Sequence, residues 1–306
     1  RQFFTEKQVV LEERRMRVDS DPTGRMIEEL SALAYIAHPY GIPTIGWTTG
    51  IITTTRPDMH AFYKQHYIPS NITIAVAGDV EPERIRDLAE TYFGPMKEKK
   101  AEMEFITREP EQRGARRFMQ RGPNQPLYIE AYHIVDRLSR DAKPLEILSD
   151  ILARGRISRL HQELVVKQGL ARTVQVFEGF PGYKFPSLFV IYAVPQKDAS
   201  LDTLVKAMHQ ELWKVSREKV TPEELQRAKT RIRADLVRSL KSNLGLAREL
   251  AEAEAQMGGW RRVFTSLEEY RQVDIEDVQS VAEKYLVRDN RTSGRLLLRD
   301  DRKGEN

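Results

Sequence analysis

Two glutamates near the start of the chain, Glu6 and Glu13, stand seven residues apart in the run Thr5-Glu-Lys-Gln-Val-Val-Leu-Glu-Glu-Arg. On an α-helix that spacing is two turns, so both carboxylates share one face, with Val9, Val10 and Leu11 available to anchor the helix. Carboxylates so placed can serve a metal site, or they can form the solvated face of a charged helix. Thiolate ligands and a cysteine nucleophile are excluded, because the 306 residues contain no cysteine. The histidines His38, His60, His66, His133, His161 and His209 include no pair at i,i+4 and no His-x-x-Glu-His segment, the pattern that sets two imidazoles and a base on one helix.

The elements that must position these groups follow in order. Phe3 to Arg17 is expected to be helical, and the break at Asp19 to Pro22 precedes a helix capped by Thr23 and running to about Ala37. From His38 to Trp47, Pro39, Gly41, Pro43 and Gly46 impose an irregular loop, in which His38 is expected to order the chain by a hydrogen bond rather than bind a metal. Pro57-Asp58 opens a short helix ending near Tyr67. Ile72 to Ala77 is expected to be a strand buried on both faces, and Glu81-Pro82 starts a helix to Phe93, ended by Gly94-Pro95.

The order and spacing of Glu6, Glu13, Asp21-Pro22, His38-Pro39-Tyr40-Gly41, Ile45-Gly46, Asp58, Phe62-Tyr63, Tyr67-Ile68-Pro69-Ser70-Asn71 and Gly78-Asp79 resemble the pitrilysin/insulinase family of zinc metallopeptidases, the inverzincins. In that family a His-x-x-Glu-His helix supplies two zinc ligands and the general base, and a later helix supplies a glutamate ligand. The resemblance implies that Glu13 is that ligand to Zn2+ and Glu6 an auxiliary catalytic carboxylate. Such a site makes a bound water acidic enough to attack a peptide carbonyl. This chain holds one of the three ligands, so the resemblance implies a fragment that lacks the His-x-x-Glu-His part and is inactive alone.

Lys97 to Gly114 is charged and poor in apolar residues, as expected of an interdomain connector. Beyond it, strands are expected at Arg116 to Arg121, Leu127 to Ile134, Ala171 to Phe180, Ser187 to Val194 and Arg291 to Leu298. Helices are expected near Asp141 to Ala153, Ile157 to Lys167, Leu201 to Ser216, Pro222 to Lys241, Leu244 to Met257 and Ile275 to Tyr285. Asp58, Phe62, Tyr67, Asn71 and the Ile72 to Ala77 strand are echoed by Glu276, Ser280, Tyr285, Asn290 and the Arg291 to Leu298 strand, an offset of about 218 residues with one insertion. The expected fold is thus α+β, with two related α/β domains of mostly antiparallel sheet backed by helices. Residues 1–96 form the C-terminal part of a truncated catalytic domain, 97–114 a linker and 115–306 a noncatalytic copy. At the same offset Glu13 falls on Arg231, so only the first copy can hold zinc.

The resemblance also implies a chamber between the halves that takes peptides or unfolded segments, added to a sheet edge with little side-chain selectivity. Many members carry Leu-Arg and then Gly-Leu-x-Tyr in the noncatalytic half, where Arg and Tyr reach the active site. Here Val165 and Arg172 occupy those places, which leaves Arg172 as the substrate-binding candidate and raises a second reading, a noncatalytic subunit paired with an active peptidase. His161, in the same stretch, is expected to be a helix-surface or half-buried histidine.

The net charge is +4. Arg113, Arg116, Arg117 and Arg121, and the run from Arg227 to Lys241, concentrate basic residues, but neither carries base-stacking aromatics, so a solvated helix face, or a groove for acidic peptide segments, is preferred to a nucleic-acid surface. No apolar run reaches the roughly 20 residues of a membrane span. The absence of cysteine suits either a reducing cytosol or an oxidising periplasm, and exported bacterial relatives favour the periplasm. An exposed sheet in a truncated first domain invites covering by a second copy or a paired subunit.

Overall fold

The strand Leu127–His133 (β2) is apolar or aromatic except at Glu130 and His133, and it is the middle of a five-stranded sheet. A computed structural model describes residues 2–97, 106–123 and 125–299. The other strands are Arg116–Gly122 (β1), Ala171–Phe180 (β3), Leu188–Pro195 (β4) and Arg291–Leu298 (β5), and the sheet order is β1-β5-β2-β4-β3. Among the described residues only β1 with β5 is parallel; the other three pairings are antiparallel. Central strands covered on both sides lose the polar alternation of a half-exposed strand, which is why β2 and β4 are buried almost throughout.

One face of the sheet carries Tyr128, Tyr132, Phe189 and Ile191 into the main core. Helices Ala142–Ala153 (α6), Leu201–Arg217 (α7) and Ile275–Tyr285 (α11) supply Leu145, Leu148, Leu204, Met208, Val278 and Ala282 to it. The opposite face presents Leu127, Ile129, Ala131, Leu188 and Val190 to the helix Pro22–Ala34 (α2), through Met26, Leu30 and Ala34, and to Tyr35 just beyond its end. Met26 and Leu30 are fully buried there, each contributing about 1.5–3 kcal/mol. Thus α2, from the first half of the chain, is the cover of the sheet built by the second half. The helices Pro222–Ser239 (α8), Asn243–Met257 (α9) and Arg262–Gln272 (α10) close the outside around Ala253, Met257 and Val263.

The first half begins with Gln2–Arg14 (α1), continued by a π-helical turn, Arg15–Asp19. Asp21, not Thr23, caps α2, accepting hydrogen bonds from the Thr23 and Gly24 amides at 3.0 and 3.2 Å, with Pro22 at the first helical position. The helix stops at Ala34, short of the expected Ala37, because the Glu109 carboxylate takes the amides of Ile36, Ala37 and His38, each at 2.9 Å. Although burial alone would raise it, those three amides hold the Glu109 carboxyl below its ordinary range. Of the expected connector 97–114, residues 98–105 lie outside the described residues.

Thr48–Thr53 (α3), Arg56–His66 (α4) and Pro82–Phe93 (α5) follow, and none of the three buries a residue. The expected strand Ile72 to Ala77 is not one. Its backbone has no sheet partner among the described residues, and Ile72, Ile74 and Val76 are exposed; a strand needs a neighbour for its amides and carbonyls. The internal repeat is clearest here. Both α4 and α11 have 11 residues and a capping box, Thr55 with Asp58 and Asp274 with Asp277, and each leads to a short 3-10 turn. In each, an asparagine amide bonds back to the end of the helix, Asn71 to the His66 carbonyl and Asn290 to the Tyr285 carbonyl. The offset is a uniform 219 residues from Arg56 with Ile275 to Asn71 with Asn290, so the insertion inferred between Tyr67 and Asn71 is absent and His66, not Tyr67, matches Tyr285.

Candidate functional site

The glutamate pair lies on α1, and two basic residues with the same spacing fix how that helix is turned. Lys7 donates to the carbonyls of Ile52 and Thr54, the latter at 2.9 Å, at the C-terminal end of α3. Arg14, buried, reaches the N-terminal end of α3 through Thr48 Oγ1 at 2.9 Å and the Gly46 carbonyl at 2.7 Å. Its guanidinium also makes a two-point pair with Glu28 of α2, at 2.7 and 3.1 Å, and sits 5.7 Å from the Trp47 ring centre. Glu6 and Glu13 each precede one of these anchors by a residue, about 100° around the helix, and so are presented on an open face beside the anchored one.

Glu6 is exposed and meets no cation at ion-pair distance among the described residues; Glu13 is partly exposed and pairs with Arg17 at 3.0 Å. Seven residues advance a helix by about 10 Å, so the pair suits one ligand and one nearby carboxylate more than two ligands of one ion. The π turn starts two residues after Glu13; such turns are rare and recur at functional sites. Among the described residues, no group of three or more His, Asp or Glu side chains is placed to hold a metal. Zinc sites use at least three protein ligands, and this donor set of one or two carboxylates, one already paired with Arg17, does not fit zinc unaided.

Arg172 lies exposed near the start of β3, an edge strand, and its charge reaches Tyr192 on the neighbouring β4. Burial raises the Tyr192 hydroxyl above its ordinary value, while a hydrogen bond with Thr23 and the Arg172 charge lower it. The candidate substrate residue therefore stands by the capped N-terminus of α2, which follows the π turn after Glu13. No contact joins Arg172 to Glu6 or Glu13 among the described residues. Val165 belongs to a second π-helical segment, His161–Lys167, and packs against the main core with its apolar side chain. His161 is half-buried in the same segment. His38 orders its loop as expected, its Nδ1 accepting the Tyr40 amide at 3.1 Å.

Sequence reasoning missed Arg14, whose signal was its seven-residue spacing from Lys7. It also missed Glu130, a fully buried carboxylate that accepts from Tyr128 and Tyr132 hydroxyls at 2.8 and 3.0 Å and meets His209 Nε2 at 2.7 Å. The alternation Tyr128, Glu130, Tyr132 within β2 was the available sign that the three share a face.

A sequence profile described as the peptidase M16 inactive domain matches residues 53–232, more than half of the chain, and the chain belongs to that peptidase family, as the pitrilysin/insulinase resemblance implied. A zinc protease of Helicobacter pylori called PqqE is 29% identical over 293 residues, covering 93% of this chain and 64% of that protein. The crystal structure of a protease from Helicobacter pylori superposes with a TM-score of 0.88 at 26% identity, over 96% of this chain and 71% of that one. A peptidase M16 inactive domain from Pseudomonas fluorescens, 19% identical, shares the fold, with a TM-score of 0.85 over 96% of this chain and 69% of that one. The chain thus spans less than two thirds of the length of the Helicobacter PqqE sequence. The α/β architecture of one mostly antiparallel sheet backed by helices is the architecture of M16-like peptidase structures.

Proposed function

We propose that this chain is part of a zinc-dependent endopeptidase of the pitrilysin/insulinase type, in which Glu13 is the carboxylate ligand, Glu6 an auxiliary carboxylate and Arg172 a substrate contact. In this reading two imidazole ligands and the general base come from residues outside these 306, and the chain alone is inactive. The observation that carries it is the double anchoring of α1: Lys7 and Arg14 hold one face against α3 and α2, leaving the Glu6/Glu13 face turned outward and fixed. Substrates of this class are peptides or unfolded segments lying extended between two halves. An exposed guanidinium on an edge strand such as β3 suits their carbonyls or terminal carboxylate.

The repeat supports two related halves. The helix α11 and strand β5 pack into a sheet, whereas their counterparts α4 and residues 72–77 leave Phe62, Tyr63, Ile74 and Val76 exposed, an apolar surface suited to a sheet of the same kind. A second reading, a noncatalytic subunit that partners an active peptidase, is favoured by Val165, which gives the core an apolar contact where many members place an arginine.

The deciding experiment measures zinc content and peptide hydrolysis in a chain that joins these residues to a His-x-x-Glu-His segment, native and Glu13→Gln. Stoichiometric zinc and cleavage, both lost in the variant, are expected. A zinc-free, inert native protein would transfer the role to the noncatalytic subunit.

A further inference from the structure

A cavity of about 880 Å³ lies on the opposite side of the sheet from α2, between α7 and the two strands β1 and β5. Of the main-core helices, α7 borders this part of the sheet. The alternation along β1 turns Phe118 toward α2 and Arg117 and Met119 toward the cavity; β5 contributes Arg291 and Arg295, and α7 contributes Lys206, His209 and Trp213. Trp213 and Met119 are 61% and 58% exposed, so large apolar side chains stand at the cavity with little covering them.

The charge of the groove is one-sided. The lining acid is Asp202, already bound to Arg295, and Glu130 lies sealed beneath, in the bonds to Tyr128, Tyr132 and His209. Arg291 is held 3.8 Å from Glu130 and shares its Nη1 with the His209 ring, while its Nε is buried without a hydrogen-bond partner. Arg117 and Lys206, both exposed, meet no carboxylate at ion-pair distance among the described residues. Strand β1 is also the end of the sheet, so its outer row of amides and carbonyls is unpaired by any described strand.

We propose that this groove binds an acidic segment of polypeptide, laid extended along the free edge of β1. Its carboxylates meet Arg117 and Lys206, and its apolar side chains rest on Trp213 and Met119. The seven residues of β1 offer about 23 Å of edge, enough for a short strand. Main-chain pairing gives such a complex its register, and the surplus of positive charge selects acidic over basic sequences. The site is separate from the Glu13 face and requires no metal, so its test does not depend on the peptidase reading.

The test uses the 306-residue chain and a fluorescein-labelled peptide of about ten residues, rich in Asp and Glu around two leucines, followed by anisotropy. Lys-rich and Ser-rich peptides of the same length serve as comparisons. The acidic peptide is expected to bind and the others not. Binding should weaken about tenfold or more between roughly 0.05 and 0.5 M salt, and N-methylation of alternate amides should weaken it about tenfold. Arg117→Glu with Lys206→Glu should abolish it and confer binding of the Lys-rich peptide, which also shows that the variant is folded. Equal binding of acidic and Ser-rich peptides, unchanged binding by the double variant, indifference to N-methylation, or displacement by inorganic phosphate as effective as by the acidic peptide would overturn the proposal.

Discussion

Arg14 and Glu28 face each other as a parallel fork, Nη1 to Oε2 at 2.7 Å and Nη2 to Oε1 at 3.1 Å, and this pair ties α1 to α2. The side chains are only 6% and 14% exposed, and the same guanidinium also serves Gly46 and Thr48. Breaking a buried pair from one side leaves the other charge uncompensated, at about 3–5 kcal/mol. Arg14→Met is therefore expected to lower stability by that order in chemical denaturation. Arg14→Lys should recover little, because a point charge cannot make the fork and reach the loop together.

Gly24 makes a sharper steric prediction. A Cβ there would collide with the Arg17 carbonyl oxygen, where the start of α2 crosses the π turn. Gly24→Ala should cost about 1–3 kcal/mol through the shift it forces. Gly50→Ala is the control, since nothing lies within 4 Å of a Cβ in that helical position, and it should stabilise by up to about 1 kcal/mol. Thermal melts of the two variants should move in opposite directions.

The two repeats predict unequal costs for the same substitution. Asn290 donates to both the His133 and Tyr285 carbonyls at 2.9 Å and is partly buried, whereas exposed Asn71 donates to the His66 carbonyl. Asn290→Ala should cost about 1–3 kcal/mol, a carbonyl of β2 losing its donor. Asn71→Ala should cost less than about 1 kcal/mol, and urea midpoints of the variants can rank them.

Asp150 predicts a pH dependence. It accepts from Arg231 at 2.9 Å and lies 3.7 Å from Arg154, yet its second oxygen is buried without a hydrogen bond. Burial pushes its carboxyl up to about 6 despite both guanidinium groups. The folded chain therefore holds this proton to higher pH than the unfolded chain. The resulting stability is complete below about pH 4 and is lost as pH rises through about 6, with a span of at most about 3 kcal/mol. Asp150→Asn should flatten that part of the stability profile; an unchanged slope would show that Asp150 does not carry it.

Local patterns carried most of the elements because they are local in cause. The capped helices α4 and α11, the helix α5 with Pro82 at its start, the buried strands β2 and β4, and β5 with its bounds Arg291–Leu298 all follow from turn residues and apolar spacing. What failed depended on partners distant in sequence. Ile72 to Ala77 has the composition of a strand, but pairing decides a strand, and no described strand pairs with it. Asp21 displaced Thr23 as the cap because Pro22 fits the first helical position. The helices α3 and α10 were not anticipated, although Val263, Ser266 and Tyr270 line one buried face of α10, and the π turns leave no composition signal at all. Glu6, Glu13 and Arg172 were legible as types at spacings. That Arg14 orients the first two, and that α2 stands beside the third, follows from folding together residues as far apart as Thr23 and Tyr192.

The burial of α2 against β2, β4 and β5 bears on how the chain comes apart. A protease site engineered between residues 98 and 105 would sever the polypeptide, but Met26, Leu30 and Tyr35 would still be clasped by the sheet beyond the cut. The nicked molecule should travel as one particle in gel filtration and separate only in denaturant. Independently expressed pieces should find each other, the first supplying a helix that the second cannot replace without exposing Leu127, Ile129, Leu188 and Val190 to water. The noncovalent link between the two parts runs through a helix, α2, and through Glu109, which holds the chain just beyond that helix.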